Sequence, residues 1–185
     1  MNPRRIVDTN VPKIANGDHS PQASPQCRQA CIRELESFFE SRRMLVIDDQ
    51  WHVLKEYQAN LYPSNGGLGD RFLQWVLQNR RNANVCVQIH LPPHTGRSFE
   101  DFPDDDRLHG FDPADRKWIA LARACIRHFN ESAPIAEAAD KKWRAYEHVL
   151  AEHQVVIDFI CAAISKPRRR RIRRQRGRNA SVDAT

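Results

Sequence analysis

Five acidic residues stand where an α/β chain would gather them. Asp8 follows the apolar run Ile6-Val7, Asp112 and Asp115 open a helical segment after a long loop, and Asp140 closes the stretch APIAEAAD at 133–140. Glu56 lies in the middle of the helical segment DQWHVLKEYQANL at 49–61. In parallel α/β sheets, functional groups collect outside the carboxyl ends of the strands, so acids from separate segments converge on one rim. Carboxylates brought close repel and raise one another's pKa unless a divalent cation sits among them, and hard Mg²⁺ or Mn²⁺ prefers such oxygen ligands. The pattern predicts a metal site built from Asp8, Glu56, Asp115 and Asp140. Asp112, three residues before Asp115 on one helical face, has two readings open to it, further ligand or helix cap.

The elements that must position these acids follow from periodicity. Ile6, Val7 and Val11 read as a short buried strand; Cys27, Cys31, Leu35, Phe38 and Phe39 recur at helical spacing within 26–43; MLVID at 44–48 is a second buried strand. The helix 49–61 follows, then a break at NGG, a helix over GDRFLQWVLQNR and a strand over NVCVQIHL at 84–91. Residues 92–110, rich in Pro, Asp, Gly and His, read as a loop flanking the site. Asp112-Pro113, an N-cap acid before a proline at the first helical position, predicts a helix through about Phe129. A weaker strand at 133–140, a helix over KKWRAYEHVLAEH and a strand at 155–160 complete the order β, α, β, α, α, β, α, β, α, β. That order predicts an α/β sandwich around a central, mainly parallel sheet flanked by helices.

The chain has 185 residues, enough for one domain and a tail; with hydrophobic residues at 41% and charged at 28% it can bury a core. Its net charge of +6 is unevenly spread: residues 166–185 hold nine Lys/Arg and one acid, which leaves residues 1–165 with 20 Lys/Arg against 22 Asp/Glu. We therefore divide the chain into a domain at 1–165 and a basic tail at 166–185, too polar and self-repelling to pack. Lys166, Arg168, Arg169, Arg170, Arg171, Arg173, Arg174, Arg176 and Arg178 form an arm suited to nucleic-acid phosphates, and without an aromatic residue it offers no stacking platform for bases. The five cysteines, an odd number with no C-x-x-C pair, predict reduced thiols, and the charged start MNPRRIVDTN is unlike a secretory signal. With no long apolar window, a cytoplasmic protein without membrane contact is expected.

Other motifs carry less. Cys27 and Cys31, one turn apart, belong to an apolar stripe rather than a zinc site, and no histidine pair forms an H-E-x-x-H motif. NGGLGD lacks both the G-x-G-x-x-G pattern and a P-loop lysine, so it serves to break two helices. Trp51, Trp75, Trp118 and Trp143 fall at core-like helical positions and are expected to pack.

RIVDTNV at the start, the helix acid of VLKEY, the segment DPADRKWIALA and the acid after APIAEAA together resemble the PIN domain, a family of metal-dependent nucleases. The resemblance spans about residues 4–162. It implies a PIN-like three-layer sandwich, with Asp8, Glu56, Asp115 and Asp140 as the four acids and Thr9 and Asn10 supporting the first. Ala138 stands where the family often has a threonine two residues before the last acid. The implied activity is Mg²⁺- or Mn²⁺-dependent endoribonuclease hydrolysis of RNA, with an antitoxin protein as partner if the chain is the toxin of a toxin–antitoxin pair, and a homodimer as a further expectation. A non-catalytic nucleic-acid-binding or regulatory module on the same fold, and a structure-specific DNA nuclease, are the competing readings.

Overall fold

The computed structural model describes residues 2–17, 23–138 and 140–161, so the basic run from Lys166 to Arg178 lies outside the described residues. In chain order the elements are β1 (Arg4–Val7), α1 (Asn10–Asn16), α2 (Pro25–Phe39), β2 (Met44–Asp48), α3 (His52–Asn60) and α4 (Leu68–Asn79). There follow β3 (Cys86–Ile89), β4 (Pro93–His94), β5 (Ser98–Phe99), α5 (Arg116–Phe129), β6 (Ile135–Glu137), α6 (Glu147–Glu152) and β7 (Ile157–Phe159). Short 3₁₀ turns occupy Pro63–Asn65, Asp106–Leu108 and Lys141–Ala145.

β1 and β2 are buried along their whole length, the burial expected of strands covered on both faces. They sit inside a five-stranded sheet of order β3-β2-β1-β6-β7 in which every pairing is parallel. Helices α1, α2 and α4 pack on one another, while α5 packs against β1, β2 and β3 and touches α3. The result is a three-layer α/β sandwich, as the alternation of strand and helix patterns predicts. Among the described residues, no helix is long and apolar enough to cross a membrane.

Several boundaries move from their expected places, each for a local reason. Val11 is not strand: Asp8 accepts a hydrogen bond from the Asn10 N–H (2.8 Å), and the chain turns at once into α1. Helix α2 begins at Pro25, with the Ser24 hydroxyl accepting from the Cys27 N–H (3.1 Å), and ends at Phe39, where its apolar stripe ends and four residues short of the expected 43. Asp112 does not cap α5; its carboxylate accepts from the Ala114 N–H in a tight turn, and α5 starts three residues beyond Pro113, at Arg116. The helix expected over 141–153 is divided into a 3₁₀ turn and the short α6.

The segment 92–110 is a folded flap rather than an open loop. β4 and β5 pair as an antiparallel hairpin, and the nearly buried Arg116 guanidinium donates to the carbonyls of Gly96, His109 and Phe111. Arg107 bridges Asp105 and Glu152, while Asp105 also meets His153, tying the flap to the end of α6.

NGGLGD breaks the chain between α3 and α4 as expected, and it also permits a close helix crossing. A Cβ on Gly69 would lie 2.0 Å from the Pro12 carbonyl oxygen, so only glycine lets α4 approach α1 there. Asn16 seals that crossing, donating to Asp70 and accepting from the Gly69 and Asp70 N–H groups. Trp118 and Trp143 are core residues and Trp75 is partly buried against the core, but Trp51 is 37% exposed, at positive φ, with Arg80 over its ring.

Two of the cysteines overturn the expectation of reduced thiols only. Cys27 and Cys161 form a disulfide across 134 residues of sequence. Cysteine number and local spacing report on contacts near in sequence, whereas this pairing is made by α2 packing beside the end of β7.

Candidate functional site

Asp8 is the centre of the site. It leaves the sheet at the carboxyl end of β1, 3% exposed, because its backbone continues the strand ladder through the Ala136 carbonyl while its side chain turns to open α1. Among the described residues one hydrogen bond reaches its carboxylate, from the Asn10 N–H. The buried Tyr57 hydroxyl donates to the Val7 carbonyl (2.5 Å) and fixes the strand end just before it.

Three further carboxylates surround Asp8 from other elements. Glu56, on α3, accepts from the Thr9 hydroxyl (2.6 Å) and forms an ion pair with Lys117 of α5. Asp115, at the entrance to α5, accepts from the Trp143 indole N–H (3.2 Å). Glu137, the last residue of β6, is 1% exposed. The parallel register pairs Val7 with Ala136, so the next step along both strands sets Glu137 beside Asp8.

These groups act on one another electrostatically. Burial pushes the Asp8 carboxyl well above the usual carboxylate range, opposed by the Asn10 N–H and reinforced by the charges of Glu137, Asp115 and Glu56. Burial also raises Asp115, with Asp112 and Glu56 adding repulsion and the Trp143 hydrogen bond and Lys117 opposing it. Tyr57 is raised by burial and then by Asp8 and Glu56.

Asp8, Glu56 and Asp115 are thus brought together, with Asp112 near enough to act on Asp115. Asp140 has a different place: its carboxylate accepts from the Lys142 N–H (2.8 Å) and caps the 3₁₀ turn that carries Trp143, while its own N–H donates to Glu137 (2.6 Å). The fourth acid of the cluster is Glu137, acting on Asp8 beside Asp115 and Glu56, and the sequence pattern alone did not single it out. Its signal was present: a lone acid inside an apolar strand pattern is rarely buried without a task. Thr9 supports Glu56, and Asn10 supports Asp8 through its backbone.

Lys117 was also passed over. It is only 7% exposed, and its ammonium group donates to the Ala114 carbonyl as well as pairing with Glu56. One positive charge of the chain's own therefore stands at the edge of a cluster of four carboxyl groups.

The donor set fits a hard divalent ion in kind: carboxylate oxygens, a buried Asp8 short of hydrogen-bond donors, and mutual repulsion that a cation would relieve. It is more widely spaced than a closed coordination shell. Among the described residues, three candidate ligand atoms come within 4.8 Å of one another only at Cys27, Cys31 and Cys161. Fold and site together define an α/β protein with a cluster of carboxyl groups at the carboxyl end of a parallel sheet. Against family models, curated proteins and solved structures, the chain gives no match.

Proposed function

We propose that this protein is a metal-dependent phosphodiesterase that hydrolyses RNA. The observation that carries the reading is the buried Asp8, set among Glu56, Asp115 and Glu137 from three other elements with a single hydrogen bond from the described residues to offset its charge. The resemblance in sequence to PIN domains, carried by RIVDTNV, the helix acid of VLKEY, DPADRKWIALA and the acid after APIAEAA, supports the same reading.

Asp8, Glu56, Asp115 and Glu137 would hold Mg²⁺ or Mn²⁺, which supplies a nucleophilic water at neutral pH and offsets charge building on the phosphate. The chain's own residues orient the ligands. The Asn10 N–H fixes Asp8, the Thr9 hydroxyl fixes Glu56, and the Trp143 indole fixes Asp115. Asp140 acts one step removed, by capping the turn that holds Trp143 in place. Lys117 balances Glu56 and sets a cation of the chain beside the carboxyl groups. The arm from Lys166 to Arg178 would bind the RNA backbone without regard to sequence.

A second reading, a nucleic-acid-binding module without catalysis, draws on the Glu56–Lys117 pair and the wide spacing of the acids. Purified protein incubated with labelled RNA or DNA, with Mg²⁺, Mn²⁺ or chelator, separates the readings. RNA cleavage that needs the ion and disappears in Asp8→Asn is expected. Binding without cleavage in either ion favours the second reading, and cleavage confined to DNA changes the substrate.

A further inference from the structure

Three sulfur atoms meet between α2 and the end of β7. Cys27 and Cys31 stand one helical turn apart on α2, and Cys161 follows β7 by two residues; their Sγ atoms lie within 4.8 Å of one another. Cys27 and Cys161 are bonded, and the Cys31 thiol is 3.9 Å from the Cys161 sulfur. All three are buried, at 2%, 0% and 6% exposure, so neither sulfur of α2 is turned away to solvent. The other two cysteines, Cys86 and Cys125, are buried free thiols outside this group.

Residues four apart on a helix present their side chains on one face, one above the other. A single partner lying over that turn is therefore within reach of both. We propose that Cys27, Cys31 and Cys161 form a thiol–disulfide exchange site, in which Cys161 is clamped to α2 through either of two cysteines and the spare thiol stays beside the bridge. This inference is independent of the nuclease reading.

The exchange is balanced without an external oxidant or reductant. Cys31 loses its proton, its thiolate attacks the Cys161 sulfur, the Cys27–Cys161 bond breaks as the Cys31–Cys161 bond forms, and Cys27 leaves as a thiolate that takes up a proton. Closing the bridge from the fully reduced state instead takes two electrons from two thiols, for which glutathione disulfide is a sufficient acceptor, yielding two glutathione thiols.

The surroundings set the pace. Burial, followed by the nearby Glu137 and Glu34, pushes the Cys31 thiol up to about 12. Thiolate is the attacking species, so exchange is slow near neutral pH and quickens about tenfold for each unit of pH below that value. The clamp sits at a joint that matters for the rest of the chain. β7 is an edge strand paired on one side, with β6, and Cys161 lies five residues before Lys166, where the basic run begins.

The test is disulfide mapping of the full-length chain. Trypsin cuts after Arg28, so Cys27 and Cys31 fall in separate peptides and each bridge to Cys161 has its own mass. Wild type oxidised with glutathione disulfide at pH 7, quenched in acid and alkylated should give the Cys27–Cys161 pair. The same protein held at pH 9 to 10 before quenching should accumulate the Cys31–Cys161 pair, faster at the higher pH. Cys27→Ser should form Cys31–Cys161 under the same oxidant, and Cys31→Ser should keep Cys27–Cys161 with no second species at any pH. Wild type that never yields the Cys31–Cys161 peptide overturns the proposal whether or not Cys27→Ser folds. So does a cooperatively melting Cys27→Ser in which Cys31 and Cys161 both remain alkylatable.

Discussion

Asp8 and Asp48 are the same residue type at the carboxyl ends of adjacent parallel strands, each 3% exposed. Their surroundings set them to opposite tasks. Both oxygens of Asp48 accept N–H groups at 2.8 Å, from His52 and Val53, so this carboxylate closes the first turn of α3 and its charge is met by the helix N-terminus. Asp8 receives one N–H and faces Glu56, Asp115 and Glu137. Burial alone therefore does not distinguish a structural acid from a functional one; the count of donors against neighbouring charges does. An acid satisfied by backbone stabilises the fold, whereas an acid left among other acids is held at a cost that a ligand can relieve.

If this contrast is right, its largest consequence is in activity. Asp8→Asn should lower ion-dependent RNA cleavage by about a hundredfold or more, since even residues that merely orient a metal ligand cost 10–100-fold when changed. Asp48→Asn should leave the rate per folded molecule nearly unchanged. Initial rates normalised to the folded fraction measure both.

The next effect is in stability, and the two substitutions should differ in sign. Asp48→Asn replaces one acceptor by an NH₂ group facing the Val53 or His52 N–H and should destabilise by about 1–3 kcal/mol. Asp8→Asn removes one charge from the repelling group and should stabilise the metal-free protein by about 0.5–2 kcal/mol. Chemical denaturation in chelator reads both, and a destabilised Asp8→Asn would make Asp8 a second structural acid.

The pH dependence sharpens the same point. The folded Asp8 carboxyl is held above the ordinary carboxylate range, so the folded protein retains that proton at pH values where the unfolded chain has lost it. Wild type therefore loses stability as pH rises from about 4 toward the raised value, whereas Asp8→Asn is spared that loss. The gap between their melting temperatures should be smallest near pH 4 and widen toward neutrality. A gap that narrows as pH rises would contradict the repulsion.

Lys117 gives a smaller test. Lys117→Met leaves Glu56 without its ion pair and should lower metal-free stability by about 1–2 kcal/mol, less than for a fully buried pair because Glu56 keeps contact with water. Restored repulsion should make Mn²⁺ raise the melting temperature of the variant more than that of wild type. An equal rise in both would mean that Glu56 is not part of the ion's site. Smallest of all should be Asp140→Ala. It removes a cap from a short exposed turn, costs about 1 kcal/mol and reduces cleavage only through the placement of Trp143 against Asp115.

What the sequence by itself determined is the layer architecture and the order of the five sheet strands with most of their helices, though not α1 or the β4–β5 hairpin. Apolar runs of four or five residues, the Asp112-Pro113 pair ahead of α5 and a glycine-rich break before α4 are signals carried within a few residues, and they act through backbone preferences that exist before the chain folds. Asp8 and Asp115 were legible in the same way, as acids at the edges of such patterns, and Glu56 as an acid inside a helical one. The tertiary structure decided the rest. Glu137 rather than Asp140 meets Asp8 because the β1–β6 register pairs Val7 with Ala136, and a register is a relation between two segments more than a hundred residues apart. Lys117 reaches Glu56 only because α5 packs against α3. Cys161 meets Cys27 and Cys31 because the last strand ends beside α2, a proximity across 134 residues that no local spacing records.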